Sequence, residues 1–225
     1  MKRRVALYGG TFDPVHLGHL EVARKVAELF DIEKVLFVPA QIAPHKLTRA
    51  VTAPLHRYAM LVLATHNDPR VFVSTFELDA LDRRYTVDTI AHFQSSFGDS
   101  TELFFVMGAD SWSEITTWHD WERLLTMTRH VVVTRPGYDV SNEHVGALLG
   151  DRIVDLRNVD NDADKIQQLS GANVFITDVV TKDISATEIR HVAKQGRFDD
   201  LRNLVPHPVA EYIKKYRIYR DSHDA

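Results

Sequence analysis

The chain has 225 residues, of which 44% are hydrophobic and 26% are charged, and its formal net charge is −4. This length suits one α/β domain, and the composition is ordinary for a globular protein with a full apolar core. The lack of cysteine excludes disulfides, a thiolate nucleophile and any cysteine-ligated zinc or iron–sulfur site. A slightly acidic chain does not have the composition of a duplex-binding protein, so no nucleic-acid partner is expected.

No apolar run approaches the ~20 residues that cross a bilayer. The basic residues at positions 2–4 are followed by only a short apolar stretch, which is not the pattern of a secretory signal. We therefore expect a cytoplasmic enzyme with no membrane partner.

Short apolar runs of β type alternate with longer segments of helical periodicity. The predicted strands are residues 5–8, 35–38, 71–73, 103–107, 131–133 and 174–176. The predicted helices are residues 17–30, 55–64, 87–97, 118–127 and 208–219. This alternation predicts an α/β fold with a Rossmann-like doubly wound parallel sheet. We expect a single domain over residues 1–225, with a small helical C-terminal part from about residue 183, while the polar stretch 139–182 is less regular.

Ligands of such sheets bind at the carboxyl ends of the strands, where a loop meets the start of a helix. The chemistry is therefore expected just after Tyr8, Val38, Met107 and Phe175.

The first of these loops, residues 9–20, has the sequence GGTFDPVHLGHL. Its two glycines allow close approach of the backbone to a ligand and a positive φ. The following helix offers free N–H groups and the positive end of its dipole to an anion. His16 and His19 are three residues apart and so face the same way, and Thr11 adds a hydroxyl. These features predict a phosphate site.

Other interpretations of this loop stay open. In a purely structural one, Gly9 and Gly10 form a turn, Asp13 and Pro14 start a helix, and the histidines are incidental. A metal site would need a third histidine or a carboxylate at ligand spacing, so no protein metal ligand is named. The patterns GxGxxG and GxxxxGK[ST] are both absent, which argues against a dinucleotide oxidoreductase and a P-loop NTPase.

A second candidate segment, residues 184–190, has the sequence ISATEIR. Ser185 and Glu188 form a capping box, which predicts that a helix begins at Ser185. The Thr187 hydroxyl and the Arg190 guanidinium suit phosphate oxygens. Taken alone, the segment is better explained as a capped helix with a solvated arginine, because S-x-x-E starts many helices. Its pairing with the first loop favours two helix starts that bind phosphate together.

The two segments resemble the HxGH and ISxTxxR signatures of the nucleotidyltransferase α/β superfamily. Residues 107–110 (MGAD) resemble its ribose-binding segment, and residues 135–137 (RPG) are similar to a step found in its bacterial members. Residues 43–46 (APHK), 84–89 (RYTVDT) and 117–121 (TWHDW) most resemble the bacterial nicotinate mononucleotide adenylyltransferases. Ala43 departs from the proline usual in that family, and residues 139–182 match it weakly.

The resemblance implies transfer of AMP from ATP to nicotinate mononucleotide, which gives deamido-NAD and pyrophosphate in NAD biosynthesis. The acceptor's phosphate would attack the ATP α-phosphorus directly, without a covalent intermediate, and catalysis would consist of positioning and charge stabilisation. Mg²⁺ is expected to arrive with ATP, because phosphates supply most of its ligands. A homo-oligomer is left open.

The resemblance also assigns residues by motif position. The expected catalytic residues are His16, His19 and Arg190. The expected ATP contacts are Gly9, Gly10, Thr11, Phe12, Gly108, Asp110, Ile184, Ser185 and Thr187. The expected acceptor contacts are Lys46, Thr86, Val87, Trp118 and His119. We further expect Trp118 to face the pyridine ring and Trp121 to pack in the core.

Several rival functions are weighed against this one. Phosphopantetheine adenylyltransferases and cytidylyltransferases of the same superfamily tend to be shorter or to lack segments like 84–89 and 117–121. The nicotinamide form of the acceptor is a further alternative. A non-catalytic nucleotide-binding regulator has less need of the whole set of phosphate-compatible residues in the two signatures. A Rossmann dehydrogenase would need the GxGxxG pattern, which is absent.

Overall fold

The computed structural model describes residues 2–41, 51–80, 84–134, 140–157, 171–180 and 184–220. Lys46, with the rest of the 43–46 segment, lies outside the described residues, and so does the 135–137 segment.

Seven strands of the described chain form one sheet in the order β3-β2-β1-β4-β5-β7-β6, and each neighbouring pair is parallel. The strands are β1 (Arg3–Gly10), β2 (Lys34–Pro39), β3 (Val71–Val73), β4 (Thr101–Gly108), β5 (Arg129–Val133), β6 (Ile153–Asp155) and β7 (Val174–Thr177). The predicted α/β fold is confirmed. Strand order reverses between β1 and β4, which is where doubly wound sheets bind their ligands.

The register of the central strands fixes which loops are neighbours. Tyr8 of β1 lies between Phe37 of β2 and Val106 of β4, and Gly10 pairs with Pro39. Because the three strands are parallel, their carboxyl ends meet at one edge of the sheet. The loops that follow Gly10, Pro39 and Gly108 therefore start side by side.

Helices cover both faces of the sheet. They are α1 (Leu17–Leu29), α2 (Pro54–Thr65), α3 (Thr86–Phe97), α4 (Ala109–Ser113), α5 (Trp121–Met127), α6 (Gly146–Leu149), α7 (Ala186–Lys194) and α8 (His207–Lys215). The predicted helices are present, with ends that differ by a few residues. Proline at the first position suits the start of α2, because its missing N–H would have no partner inside the helix.

Two apolar layers flank the sheet, because successive strand residues point to opposite faces. Phe104 belongs to the layer under α1, α2, α7 and α8, and its neighbour Phe105 belongs to the layer under α3, α4 and α5. Both rings are buried, as expected for a parallel strand covered on both sides. The C-terminal helices α7 and α8 thus share a core with α1, the helix that follows the HxGH loop.

Two predicted helix ends are wrong for the same physical reason. The helix predicted over 118–127 begins only at Trp121, because Trp118 is extended and Asp120 adopts a left-handed φ of 52°. The helix predicted over 208–219 ends at Lys215, and left-handed residues follow at Arg217 and Tyr219. Left-handed residues interrupt a right-handed helix, and neither sequence has a glycine to signal them.

Among the described residues, no helix is both long enough and apolar enough to span a membrane.

Candidate active site

The loop between β1 and α1 turns at Phe12, not at its glycines. Phe12 has a left-handed φ of 49°, whereas Gly9 and Gly10 do not adopt the positive φ that glycine allows. The glycines are needed for space: a Cβ at Gly9 would lie 2.8 Å from Cζ of Phe105, and one at Gly10 would lie 2.8 Å from Cζ of Phe12. Rings packed against the end of β1 therefore exclude any larger residue there.

The Phe12 side chain is part of the core. It is 3% exposed and lies with its ring centroid 5.4 Å from Tyr8 and 5.1 Å from both Phe37 and His19. Burial of the ring offsets a left-handed backbone cost of about 1–3 kcal/mol. An ATP contact at Phe12 is consequently available only to its main chain, while its ring supports His19.

The two histidines of the loop form a stacked pair. Their ring centroids are 3.6 Å apart with an interplanar angle of 28°. The main-chain N–H of His16 donates to Nδ1 of His19 at 3.2 Å. Since Nδ1 accepts, the proton of a neutral His19 ring sits on Nε2, which can donate to a phosphate oxygen without a positive charge. His16 is only 8% exposed, and His19 is half-buried.

The second motif is placed against this loop. Ser185 caps α7 by accepting the N–H of Glu188 at 3.1 Å, which confirms the predicted helix start. Nη2 of Arg190 donates to Oγ1 of Thr187 at 2.8 Å, and Nη1 donates to the main-chain carbonyl of Asp13 at 2.7 Å. One arginine thereby joins two motifs that are 177 residues apart in sequence. Ile184, just before the cap, packs against the core that α1 and α7 share.

The residues expected near the ribose lie at the same edge of the sheet. Gly108 ends β4 and caps the short helix α4, and Asp110 lies in the first turn of that helix. Both are exposed. Since β4 pairs with β1, they lie beside the end of β1 that carries the histidine loop.

The predicted acceptor residues come from α3 and from the loop before α5. Thr86 and Val87 open α3, and the Val87 side chain is buried, so a ligand there would meet only its main-chain N–H. The ring of Tyr85, which caps α3, stacks on His119 with centroids 4.1 Å apart. Trp118 meets Phe105 edge-on at 6.5 Å, and Phe105 in turn touches Gly9. Of the acceptor residues, Trp118 is thus connected through Phe105 to the end of β1 that carries the histidine loop.

The tryptophans differ less than the sequence predicts. Trp118 and Trp121 are both half-buried, and both pack against the apolar layer under α3 to α5. The expectation that Trp121 is a core residue is therefore only partly met, because helix α5 starts at Trp121 and leaves it at the edge of that layer. The fully buried tryptophan is Trp112, whose Nε1 donates to Oδ1 of Asn142 at 3.1 Å.

A buried arginine of α2, which the motifs do not include, also contacts the histidine loop. Arg57 is 1% exposed and donates to the main-chain carbonyl of Thr11 at 2.7 Å. Burial lowers the pKa of its guanidinium, and the nearby Asp13 carboxylate partly offsets that effect. The sequence signal is its place in the helix: Arg57 shares the buried face of α2 with Met60 and Leu61. An arginine on an apolar stripe indicates a specific partner.

Glu77 forms a hydrogen bond with a residue near the start of helix α3. Its Oε1 accepts a hydrogen bond from the Thr89 hydroxyl at 2.8 Å. Burial raises the pKa of Glu77 to about 7, against the opposing effects of the Thr89 hydrogen bond and the Arg84 charge. Glu77 therefore changes its charge near neutral pH, and its partner Thr89 lies one helical turn after Thr86.

Replacing Glu77 with glutamine is expected to stabilise the protein at high pH. Between the ordinary pKa of 4.5 and about 7, the folded chain binds more protons than the unfolded chain. The free energy of unfolding therefore falls as pH rises through this window. Glutamine keeps the Thr89 hydrogen bond and cannot ionise. Urea unfolding at pH 5 and pH 8 should show Glu77→Gln gaining about 1–3 kcal/mol over the wild type at the higher pH.

The control for this measurement is Glu122→Gln, at an exposed position of α5. It is expected to leave the pH dependence of unfolding unchanged. A Glu77→Gln profile parallel to that of the wild type would contradict the assignment of this proton to Glu77.

Metal-binding side chains are scattered in the described residues. No group of three or more histidine, aspartate or glutamate side chains within them is placed to hold a metal ion. Asp13, three residues before His16, is buried and accepts hydrogen bonds at both oxygens, from the Tyr219 hydroxyl at 2.8 Å and the Thr52 N–H at 3.4 Å.

Comparison with known proteins identifies the class. The model of the cytidylyltransferase-like family matches residues 7–192, which include both signature segments and the sheet between them. The chain belongs to this family and is a nucleotidyltransferase.

Two relatives of this chain are both named as probable nicotinate-nucleotide adenylyltransferases. A probable nicotinate-nucleotide adenylyltransferase of Thermoanaerobacter sp. (strain X514) is 41% identical over 217 residues, 96% of this chain and 94% of that protein. A probable nicotinate-nucleotide adenylyltransferase of Mycobacterium tuberculosis (strain ATCC 25618 / H37Rv) is 39% identical over 221 residues, 98% of this chain and 94% of that protein. The chain is thus similar to both over nearly its full length.

A solved structure has the same fold. The Plasmodium falciparum nicotinic acid mononucleotide adenylyltransferase complexed with NaAD superposes with a TM-score of 0.69 at 17% identity, covering 96% of this chain and 97% of that one. At this identity the likeness concerns the fold.

Proposed function

We propose that the chain transfers AMP from ATP to nicotinate mononucleotide and releases pyrophosphate and deamido-NAD. The observation that carries the proposal is the hydrogen bond from Arg190 to the carbonyl of Asp13, which joins two helix starts that both suit phosphate. The relatives' names support the choice of acceptor.

On the ATP side, each role is assigned from the hydrogen bonds that a residue can donate to phosphate oxygens. Nε2 of His19 and the ring of His16 meet the phosphate at which transfer occurs. The free donors of Arg190 and the hydroxyls of Ser185 and Thr187 hold the β- and γ-phosphates. The remaining ATP contacts lie at the main chain of Gly9, Gly10, Thr11 and Phe12, at Ile184, and at Gly108 and Asp110 for the ribose. Support comes from the position of all these groups at the carboxyl ends of β1, β4 and β7.

On the acceptor side, a carboxylate is bound by the first-turn amides of α3. The N–H groups of Thr86 and Val87 have no carbonyl inside the helix to which they can donate, and the helix dipole favours an anion there. Trp118 lies against the pyridine ring, with His119 beside it. Lys46 meets the acceptor's phosphate; it lies outside the described residues, and this role rests on its motif.

The reaction is an in-line displacement at the α-phosphorus. An oxygen of the acceptor's phosphate forms the new P–O bond, and the bond to the β-phosphate oxygen breaks with pyrophosphate as leaving group. The attacking oxygen is already ionised, so no general base is required. The protein's part is to align the two phosphates and to neutralise charge on the oxygens of the transferred group.

Mg²⁺ is the proposed cofactor, bound through the nucleotide. Imidazole nitrogens are poor ligands for this hard ion, and the oxygens of Asp13 already accept hydrogen bonds. The residues described around the histidine loop therefore fit a metal held mainly by phosphate oxygens and water. When bound, the ion would neutralise phosphate charge.

The wider proposal is a single cytoplasmic domain over residues 1–225 that acts on these two small molecules, without a nucleic-acid partner. Assembly into a homo-oligomer is compatible with it.

The test measures pyrophosphate release with ATP, Mg²⁺ and either nicotinate or nicotinamide mononucleotide, with the dinucleotide product identified by chromatography. We expect release when both reactants are present, and a faster rate with the nicotinate form. The reason is that the two main-chain N–H groups at the start of α3 bind the carboxylate of nicotinate better than the carboxamide of nicotinamide. No release with either acceptor would overturn the proposed function. Equal rates would overturn only the choice of nicotinate.

A further inference from the structure

The buried guanidinium of Arg57 contacts more than the histidine loop. Besides the carbonyl of Thr11, it donates to the carbonyl of Ala40 at 2.7 Å, to that of Gln41 at 3.3 Å and to that of Thr52 at 2.9 Å. These carbonyls belong to three different stretches of chain at the carboxyl edge of the sheet.

We propose that Arg57 is a positioning residue that sets the catalytic geometry of the histidine loop relative to the chain that leaves β2. This inference rests on the proposed function, because it assumes that the loop binds the reacting phosphates. Arg57 itself touches no substrate and acts through the main chain of Thr11.

The contacts explain why an arginine stands here. The planar guanidinium has five donors in a fixed fork, so it can bind carbonyls that approach from different directions. A lysine would supply one nitrogen at the end of a flexible stem and satisfy only part of the set. Each half-buried carbonyl that loses its donor also loses the hydrogen bond that offsets its partial desolvation.

The same loop is held from two other sides. Tyr219, just after α8, donates its hydroxyl to Oδ1 of Asp13, and Arg190 of α7 donates to the Asp13 carbonyl. The Asp13 carboxylate in turn lies near enough to Arg57 to stabilise its charge. The residues Thr11 to Asp13 are therefore fixed by three side chains from α2, α7 and the C-terminal turn, immediately before His16.

The principal variant is Arg57→Lys, which keeps the charge and loses the fork. We expect kcat to fall by about 10²-fold, since a displacement of ~1 Å at a catalytic group costs about that much. KM for ATP should rise less than kcat falls, because the histidines act mainly on the transition state. Tyr219→Phe removes only one donor to Asp13 at nearly constant volume, and we expect a smaller loss of kcat, about three- to tenfold.

Met60→Ala is the matched control for lost stability. Met60 lies one turn later on the same buried face of α2, is fully buried, belongs to the apolar layer, and has no hydrogen-bond donor for the loop carbonyls. Its truncation opens a cavity and lowers stability. At a temperature where both variants are folded, we expect Met60→Ala to keep the wild-type kcat.

Hydrogen exchange of the ligand-free protein gives a second, activity-independent measurement. Amides of residues 10–17 and 39–41 should exchange faster in Arg57→Lys than in Met60→Ala, while those of β4 and β5 stay equally protected. Unchanged kcat and unchanged loop exchange in Arg57→Lys would overturn the inference. If Arg57→Lys does not fold, Arg57→Gln takes its place in both measurements, and unchanged kcat with unchanged loop exchange in that variant would overturn the inference. If the wild type releases no pyrophosphate, the proposed function fails, and faster loop exchange still establishes that Arg57 holds the loop.

Discussion

Replacing His19 with alanine is expected to lower kcat for adenylyl transfer by about two to three orders of magnitude while the protein stays folded. The side chain lies in the first turn of α1, and its Nδ1 accepts the N–H of His16, which puts the proton of the neutral ring on Nε2. Loss of one pre-positioned donor to charge that develops in a transition state typically costs 10²–10³ in kcat. Steady-state kinetics and thermal unfolding of the same preparation measure both parts of this expectation.

A second substitution separates the structural contact of His19 from the chemical one. In His19→Asn the amide oxygen can still accept the His16 N–H, but no donor reaches the position of Nε2. We expect its kcat to fall nearly as far as that of the alanine variant, with smaller loss of stability. The control is His191→Ala on the exposed side of α7, where the ring contacts Gln195, and it should retain full activity. An active His19→Ala would leave the loop with a structural role only.

Arg190→Lys is expected to reduce kcat/KM for ATP by about 10²-fold. The guanidinium contacts both the Thr187 hydroxyl and the Asp13 carbonyl, and has further N–H donors for phosphate. A lysine keeps the positive charge and cannot make these contacts at once, so a phosphate contact would come at the expense of the link to the loop. Loss of charge-assisted bonds of about 1.5–3 kcal/mol corresponds to this range.

The control for this variant is Arg197→Lys, shortly after the same helix. Arg197 is exposed and pairs with Asp200, and such pairs contribute little. It is expected to leave both kcat and KM unchanged. Equal activity of Arg190→Lys and the wild type would contradict a role for Arg190 in holding the phosphates and the loop together.

The fold was predictable because its signals are local. Runs such as Leu103–Met107 are buried on both faces and so are apolar throughout, and the stripe of α1 repeats at helical spacing. The cap at Ser185 is also a local signal, and the structure contains it. Errors arise where a residue without a warning sequence adopts a left-handed φ, as at Phe12 and Asp120.

Much of the candidate site was predictable for a different reason. The two signatures name the phosphate-compatible residues by motif, and the structure brings His16, Thr187 and Arg190 to one edge of the sheet. The contacts of Arg57 were not predictable, because its acceptors are main-chain carbonyls, which every sequence supplies. Only the three-dimensional path of the chain decides which carbonyls an arginine meets.

The contacts of Asp13 also constrain when the protein becomes competent during its synthesis. Its partners Arg190 and Tyr219 follow it by 177 and 206 residues. Contacts of such long separation form late in folding, after most loop-closure entropy has been lost. A nascent chain that has completed only β1 to β5 holds the histidines and lacks the partners that orient their loop. Activity should therefore appear abruptly in refolding, at the step in which α7 and α8 dock onto the sheet, and not in proportion to the secondary structure already formed.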